Sequence, residues 1–326
     1  MAGPVLIAPD SFKGTFTAAA VGDAIARGLG AAGGPTSLVV PLADGGEGTR
    51  DCLLRAFGGE LVSAAAHDAV GRPITAPIGM LSDGRTAVVD SASASGLALL
   101  EPAVRDPVGA STAGTGELVR AALELGAGHV IVGAGGSATT DGGLGAIEAI
   151  EAGGGLGRAT LTVLCDVNTP FELAAEVFGP QKGADPTQVG VLSERLAELA
   201  RRLPRDPRER PMTGCAGGLS GGLWSAFGAE LRPGAAYLFD ALGIEPKVRT
   251  AAAVISGEGR FDSQSLAGKV VGELARLCRL TRTDLHLVVG STDGTAAPGP
   301  GSMRIATTPA ELEAAGASIA RAIEAG

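Results

Sequence analysis

Residues 130–151 read VIVGAGGSATTDGGLGAIEAIE, and this stretch decides the fold class. It begins with an apolar strand, Val130–Gly133, continues through a glycine-rich loop that carries Asp141, and ends in a helix, Gly142–Glu151. The strand lacks the alternation of apolar and polar residues, which is typical of a strand that is covered on both faces. A strand, a glycine-rich loop and a helix in this order indicate an α/β protein, in which ligands bind at the carboxyl ends of parallel strands.

The same alternation of short apolar runs and longer amphipathic segments extends along the chain. The predicted strands are Val5–Ala8, Leu38–Pro41, Ile74–Met80, Ala87–Asp90, Val130–Gly133, Thr160–Cys165, Ala253–Ser256, Leu285–Val289 and Met303–Ala306. The predicted helices are Thr17–Leu29, with Thr17 as N-cap, and Glu47–Phe57, Glu117–Leu125, Gly142–Glu151, Gln188–Leu203, Leu266–Leu280 and Ala310–Ile323. The pattern therefore predicts a three-layer α/β architecture with a mostly parallel sheet.

Composition narrows the class of protein. The 326 residues carry a net charge of −9, which argues against nucleic acid or an anionic membrane surface as a partner. The four cysteines are widely separated, which indicates free thiols in a reducing compartment. We find no signal peptide and no apolar run that could span a bilayer, so we expect a cytoplasmic protein.

Four strand ends share one feature, a glycine-rich loop that contains an acidic residue. These loops are Ala8–Gly14, Leu42–Thr49, Gly133–Gly143 and Ser256–Asp262. Glycine lets the backbone approach a ligand, and the N–H groups at a helix start can bind phosphate. Carboxylates in the same loops suit Mg²⁺, which takes one or two carboxylates together with phosphate oxygens. Four such loops favour a ligand site over a set of ordinary tight turns.

Lysine is rare, since only four of the 26 basic residues are lysines. Three of them, Lys13, Lys182 and Lys269, stand next to glycine, whereas Lys247 follows a proline. An ammonium group acts on phosphate as a compact point charge, unlike the planar guanidinium fork of arginine. We therefore expect these three lysines to contact anions.

Matches to other known motifs are rejected, because the strands or residues that should accompany each motif are missing. Gly133–Ala138 fits the dinucleotide pattern G-x-G-x-x-A, but the acidic residue expected at a strand end about 20 residues further on is missing, because Glu151 lies in the predicted helix. Gly218–Gly222 fits the nucleophile pattern G-x-S-x-G, but no strand precedes it. No spacing of histidine and cysteine suggests a zinc site.

Taken together, the loops resemble the bacterial type I glycerate kinases. The resemblance is carried, in order along the chain, by Ile7–Gly14, Pro41–Thr49, Gly114–Glu117, Gly135–Thr139, Val177–Ala184 and Gly257–Asp262. It implies phosphorylation of D-glycerate by ATP with Mg²⁺, in two three-layer α/β domains with mostly parallel sheets and a ligand cleft between them. The expected domains are residues 1–66 with 256–326, and a flavodoxin- or Rossmann-like middle domain of residues 67–255.

The resemblance and the loop chemistry together suggest roles for individual residues. The expected catalytic residues are Lys13, Asp44 and Asp262, with Asp44 and Asp262 both open as general base. The expected glycerate-binding residues are Ser11, Lys13, Gly45, Glu47 and Arg260. The expected ATP-binding residues are Gly114, Gly116, Gly135, Gly136, Ser137, Lys182 and Lys269. The expected Mg²⁺ ligands are Asp166 and Glu258.

Two alternatives stay open from sequence. One is a kinase for another small hydroxy acid, and the other is a non-catalytic sensor of glycerate or nucleotide with the same fold. The acidic loops beside lysines favour catalysis, because a sensor needs neither a metal nor a base. The sequence also leaves a homodimer open.

Overall fold

A computed structural model describes residues 3–266, 269–299 and 301–325. The strands are β1 (Val5–Ile7), β2 (Ser37–Val39), β3 (Gly59–His67), β4 (Pro73–Leu81), β5 (Thr86–Asp90), β6 (His129–Gly133), β7 (Thr160–Cys165), β8 (Glu230–Pro233), β9 (Ala253–Phe261), β10 (Leu285–Thr292) and β11 (Met303–Ile305). The helices are α1 (Ala18–Ala31), α2 (Thr49–Phe57), α3 (Ala92–Ser95), α4 (Ala113–Glu124), α5 (Leu144–Ala152), α6 (Ala174–Phe178), α7 (Pro186–Arg202), α8 (Leu219–Phe227), α9 (Gly234–Ala241), α10 (Ile244–Thr250), α11 (Val270–Thr281) and α12 (Pro309–Ala325).

The chain divides into two units, each built on its own sheet. Unit 1 comprises Met1–Asp44 and Ala235–Gly326, and unit 2 comprises Gly45–Gly234. Both sheets are mostly parallel and both units carry helices, so the predicted α/β class is confirmed. None of the helices in the described part of the chain is long and apolar enough to cross a bilayer.

Unit 1 contains a five-stranded, fully parallel sheet in the order β11-β10-β9-β1-β2. All three residues of β1 are buried, as expected for a strand that is covered on both faces. Ile25 of α1 and Ile319 of α12 pack with Val5 and Ile7 in the core. The predicted N-cap is confirmed, because the Thr17 side chain accepts a hydrogen bond from the Ala20 N–H at 3.2 Å.

Unit 2 contains a six-stranded sheet in the order β3-β4-β5-β6-β7-β8. The β3–β4 and β4–β5 pairs are antiparallel, and the remaining pairs are parallel. Residues from β4 to β7 and from α4, α5 and α8 form its core. The carboxyl ends of β5, β6 and β7 lie side by side in the parallel part of this sheet and carry the glycine-rich loop after β6.

The unit boundaries differ from the domain boundaries expected from sequence. Residues 45–66 belong to unit 2, because β3 pairs with β4 along its whole length, from Gly59 with Leu81 to His67 with Pro73. Residues 235–255 belong to unit 1, because β9 pairs with β1 from Ala253 onward.

The stretch Gly257–Phe261 was predicted as a loop and is instead the second half of β9. It pairs with β10, and a Cβ at Gly257 would lie 1.8 Å from the Val288 carbonyl oxygen. Glycine lets the two strands approach at this point, so here it serves the sheet rather than a turn.

Candidate active site

A cavity of about 490 Å³ lies in unit 1, where the chain leaves β1 and passes through the end of β9. Its lining combines the loop after β1 and the end of β9 with single residues from elsewhere in the unit. Seven residues predicted from sequence line it: Ser11, Lys13, Asp44, Glu258, Arg260, Asp262 and Lys269. Parallel strands bring these distant sequence positions together at one end of the sheet, as the loop pattern predicted.

Asp10 also lines this cavity, although the sequence analysis assigned it no role. Its residue surface is only 7% exposed, and its carboxylate accepts a hydrogen bond from the Ser11 N–H at 2.6 Å. Burial raises the pKa of Asp10 to about 7, and the neighbouring charge of Asp44 adds to the rise, whereas Lys13 opposes it. The position of Asp10 in the first glycine-rich loop was the available signal, but its burial depends on distant parts of the chain.

Lys13 and Asp44 form an ion pair in the cavity. The Lys13 Nζ lies 3.5 Å from the Asp44 Oδ2, with the lysine side chain 59% exposed and the aspartate side chain 5% exposed. Lys13 therefore has an exposed ammonium above a buried carboxylate. An arrangement of this kind lets the cation meet an incoming anion while the carboxylate stays largely out of water.

Arg260 and Asp262 form a more exposed pair, with the Arg260 Nε 3.7 Å from the Asp262 Oδ2. The other Asp262 carboxylate oxygen accepts a hydrogen bond from the Gln264 N–H at 2.9 Å. Asp262 therefore closes a turn, which is the ordinary role of an aspartate in a loop. Its other carboxylate oxygen, Oδ2, orients Arg260. The Arg260 side chain is 73% exposed, so its guanidinium is accessible to a carboxylate.

The acidic residues of the cavity bear on whether it can hold Mg²⁺. Glu258 Oε1 is buried and has no hydrogen-bond partner among the described residues. Burial raises the pKa of Glu258, and the negative charges of Asp262 and Asp44 act in the same direction. No group of three or more His, Cys, Asp or Glu side chains in the described ranges forms a metal-binding cluster. Glu258 can therefore offer one carboxylate oxygen, and Mg²⁺ needs only one or two carboxylates when phosphate oxygens complete its shell.

Unit 2 brings a second set of predicted residues together after β6. Gly135, Gly136 and Ser137 lie in consecutive positions there, with Gly136 at φ +68° and exposed at the tip. The Lys182 ammonium donates to the Ser137 hydroxyl at 3.1 Å and to the Thr139 carbonyl at 2.5 Å. Lys182 therefore belongs with this loop, although it lies more than 40 residues away in sequence.

Asp166 and Gly45 lie close to the same end of the unit 2 sheet. Asp166 directly follows β7, and its Oδ1 lies 3.0 Å from the Cys215 thiol. A Cβ on Gly135 would lie 3.4 Å from the Asp166 Oδ2, so this carboxylate borders the loop. Gly45 has φ +98°, and a Cβ there would meet the Gly234 backbone at 2.8 Å. Glu47 lies nearby in the chain and is exposed.

Gly114 and Gly116 do not form the loop that was predicted for them. Both lie in the first turns of α4, and the Gly116 N–H already donates to the Thr112 carbonyl at 3.2 Å. A Cβ on Gly116 would lie 2.5 Å from the Ala146 carbonyl oxygen of α5. In this structure the two glycines let α4 pack closely against its neighbours.

Each unit is an α/β fold that places charged residues at the carboxyl ends of parallel strands, which is where proteins of this class bind ligands. The sequence profile of the Glycerate kinase family matches residues 5–154 and 151–325. The chain belongs to the glycerate kinase family.

Individual relatives agree with this assignment. The chain is 38% identical to the glycerate kinase of Bacillus subtilis (strain 168) and 35% identical to the glycerate 2-kinase of Escherichia coli (strain K12). Each alignment covers 88% of this chain and 85% of the relative. The crystal structure of a protein assigned as glycerate kinase 2 from Salmonella typhimurium LT2 matches with a TM-score of 0.84 and 33% identity, and the match covers 100% of this chain and 99% of that chain.

Proposed function

We propose that this chain is a glycerate kinase of the bacterial type I that transfers the γ-phosphoryl group of ATP to a hydroxyl of D-glycerate. The unit 1 cavity carries this proposal, because it places buried carboxylates beside the exposed cations Lys13 and Arg260. Phosphoryl transfer needs positioned anions, neutralised charge and an acceptor for the hydroxyl proton, and the cavity offers groups for each task. The cytoplasmic location and the homodimer stay predictions from sequence.

In the proposed reaction, the glycerate hydroxyl oxygen attacks the γ-phosphorus, the bond from that phosphorus to the bridging oxygen breaks, and ADP leaves. The hydroxyl proton passes to the carboxylate pair of Asp10 and Asp44. The raised pKa of Asp10 suits proton transfer near neutral pH. Lys13 lies beside this pair and is placed to hold an oxygen of the transferred group.

Arg260 is the proposed partner of the glycerate carboxylate, since a guanidinium matches a carboxylate with two parallel hydrogen bonds. Asp262 orients Arg260 through their 3.7 Å contact. Ser11 and Lys269 line the same cavity and complete its polar surface. Because Asp262 is already engaged at its turn, we place the base at Asp10 and Asp44 instead.

Mg²⁺ is the proposed cofactor, and it supplies neutralisation of the phosphate charge when bound. Glu258, with its unpartnered buried oxygen, is the residue of unit 1 that is suited to hold it. Asp166 is the corresponding candidate in unit 2, at the end of β7. The loop at Gly135–Ser137 is proposed to bind the phosphates of ATP through its backbone N–H groups.

The acceptor hydroxyl can also be proposed. The Escherichia coli relative is named a glycerate 2-kinase, so the C2 hydroxyl is our first choice for this chain. Lactate has a C2 hydroxyl but no C3 hydroxyl, and it therefore serves as a comparison substrate alongside tartronate.

We test the proposal with ADP release measured at saturating ATP, Mg²⁺ and D-glycerate. Asp44→Asn and Asp10→Asn are each expected to lower kcat by about 100-fold or more, because a general base contributes about that much. Asp262→Asn is expected to act mainly on KM for glycerate, because it loosens Arg260. Lys247→Met serves as the control, since Lys247 binds the Leu242 and Gly243 carbonyls away from the cavity lining.

The assay separates the alternatives as well. A wild-type protein that releases ADP with lactate or tartronate but not with glycerate would be a kinase for another hydroxy acid. A protein that binds glycerate and releases no ADP would be a sensor. If both Asp44→Asn and Asp10→Asn kept their kcat within about tenfold of wild type, the base assignment would be wrong.

A further inference from the structure

Lys182 is a buried cation, and the hydrogen-bond acceptors that it contacts among the described residues lie on one loop. Its residue surface is 3% exposed, and it reaches that loop from a short 3-10 turn, Pro180–Lys182. The ammonium donates to the Ser137 hydroxyl and to the Thr139 carbonyl, and these two acceptors lie on either side of Ala138. The contact therefore ties an element between α6 and α7 to the loop that follows β6.

The charge of Lys182 has no carboxylate ion-pair partner within the described residues. The acidic side chains whose charges act on Lys182 already accept other hydrogen bonds. Asp141 accepts from the N–H groups of Thr112 and Gly143, and Asp166 accepts from the Cys215 thiol. Burial lowers the pKa of Lys182 to about 8, while Cys215, Asp141 and Asp166 act to raise it. A buried charge without a direct ion-pair partner is costly, and an anion bound at the loop would add a further counter-charge.

The loop itself has unused hydrogen-bonding groups. No acceptor among the described residues binds the N–H groups of Gly135, Gly136 or Ser137. The neighbouring bonds run from Leu97 N–H to the Gly136 carbonyl and from Ala138 N–H to the Ser95 carbonyl, so they leave these three donors available. Thr139 is fully buried, and its hydroxyl oxygen also lacks a partner in the described part of the chain. Three consecutive free N–H groups around a left-handed glycine are a backbone site for an anion.

We propose that Lys182 is a positioning residue for the phosphates of the nucleotide. Its buried ammonium fixes the Gly135–Ser137 loop through hydrogen bonds and places a positive charge close to the N–H groups that bind phosphate. The proposal rests on the proposed kinase function and deepens it. It also changes the role expected from sequence, in which Lys182 touches the anion directly. With 3% of its surface exposed and two acceptors already bound, Lys182 acts through the loop.

The charge can act without contact because a buried ammonium is poorly screened by water. The loop N–H groups then provide directional hydrogen bonds, and Lys182 adds a field of the same sign behind them. Removing the charge should therefore weaken nucleotide binding more than it weakens glycerate binding, because glycerate is assigned to the unit 1 cavity.

The direct test is the affinity for ADP by calorimetry, using the full chain. Lys182→Met keeps most of the length of the side chain but removes both the charge and the two hydrogen bonds of the ammonium, and we expect it to weaken ADP binding by about tenfold or more. We expect KM for ATP to rise in parallel while KM for glycerate changes by less than about threefold. Lys247→Met removes another lysine with two carbonyl partners and should bind ADP as wild type does.

A pH series separates the charge from the tether. A neutral amine still donates two hydrogen bonds, so the contacts to Ser137 and Thr139 can persist when the ammonium loses its proton. In wild type, ADP affinity should fall as the pH rises through about 8, whereas Lys182→Met should show a smaller fall over the same range. Asp141, Asp166 and Cys215 face Lys182 and are present in both proteins, so the difference between the two curves reports the lysine.

Each outcome bears on the proposal. A folded Lys182→Met protein with ADP affinity within about twofold of wild type overturns it while the kinase function stands. If Lys182→Met does not fold, Ser137→Ala decides: it removes one acceptor of the tether, and weaker ADP binding at an unchanged melting temperature supports the proposal. Unchanged ADP binding by Ser137→Ala, together with a flat wild-type pH series, overturns it. A wild-type chain that binds no ADP overturns the proposed function as well.

Discussion

At the scale of single residues, burial gives two aspartates of one cavity different chemistry. Asp10 is almost wholly buried and its pKa is raised to about 7, whereas Asp262 is partly exposed and accepts a hydrogen bond from its own turn. Both are acidic residues in glycine-rich loops, so sequence alone could not distinguish them. The distinction comes from elements that are far apart in the chain and meet only in the folded unit.

The raised pKa of Asp10 predicts a stability cost that depends on pH. The folded chain binds a proton at Asp10 up to about pH 7, while an unfolded chain loses it near 3.8. Between these values the native state holds more protons than the unfolded state, so the contribution of Asp10 to stability falls as the pH rises. Asp10→Asn has no charge to bury. Above pH 7 its free energy of unfolding should therefore exceed that of wild type by about 1 kcal/mol or more, and it should melt at a higher temperature.

The measurement is thermal unfolding at a series of pH values, where the difference between Asp10→Asn and wild type should shrink as the pH approaches 4. Asp83→Asn is the contrasting control, because hydrogen bonds from the Arg85 N–H, the Thr86 hydroxyl and the Thr86 N–H lower the pKa of Asp83. It should lower stability at neutral pH and lose that effect in acid. An Asp10→Asn protein that melts below wild type above pH 7 would show that the buried charge is not costly.

At the scale of elements, the contact of α4 with α5 depends on a glycine. Gly116→Ala places a methyl group 2.5 Å from the Ala146 carbonyl oxygen. Because this oxygen belongs to the backbone of α5, a helix would have to shift to relieve the clash. We expect the free energy of unfolding to fall by about 1–3 kcal/mol, despite the better helix propensity of alanine.

Gly190→Ala is the matched control, because Gly190 lies inside α7 of the same unit with nothing within 4 Å of its added Cβ. It should raise the free energy of unfolding by up to about 1 kcal/mol. Chemical denaturation of both variants checks the pair. If both variants changed the free energy of unfolding equally, close packing against α5 would not be the reason that position 116 needs glycine.

The elements also show which sequence signals were sufficient. Thr17 ahead of an apolar stripe predicted α1, and the run Val130–Gly133 predicted β6, because these signals are local. The sequence pattern did not predict β3, because its exposed, alanine-rich residues give little β signal and the strand forms through pairing with β4. The pattern also assigned Gly114–Gly116 to a loop, because glycines needed for helix packing look like turn residues in a sequence.

At the scale of the whole molecule, the candidate site residues of each unit lie at the carboxyl ends of parallel strands. In unit 1 these are the ends of β1 and β9, with Asp10, Lys13 and Arg260. In unit 2 they are the ends of β6 and β7, with Ser137 and Asp166. The loop pattern predicted this placement because any parallel sheet produces it. The hydrogen bonds from Lys182 to the loop could not be predicted, since they depend on the position of the turn after α6.

The central claim is that the chain joins the γ-phosphoryl group of ATP to glycerate, and phosphorus NMR of the products tests it most directly. Wild-type chain with ATP, Mg²⁺ and D-glycerate should give a new phosphomonoester resonance of phosphoglycerate, growing in step with the β-phosphorus signal of ADP. ATP that stays intact, or ADP and inorganic phosphate that accumulate equally with and without D-glycerate, would contradict the claim.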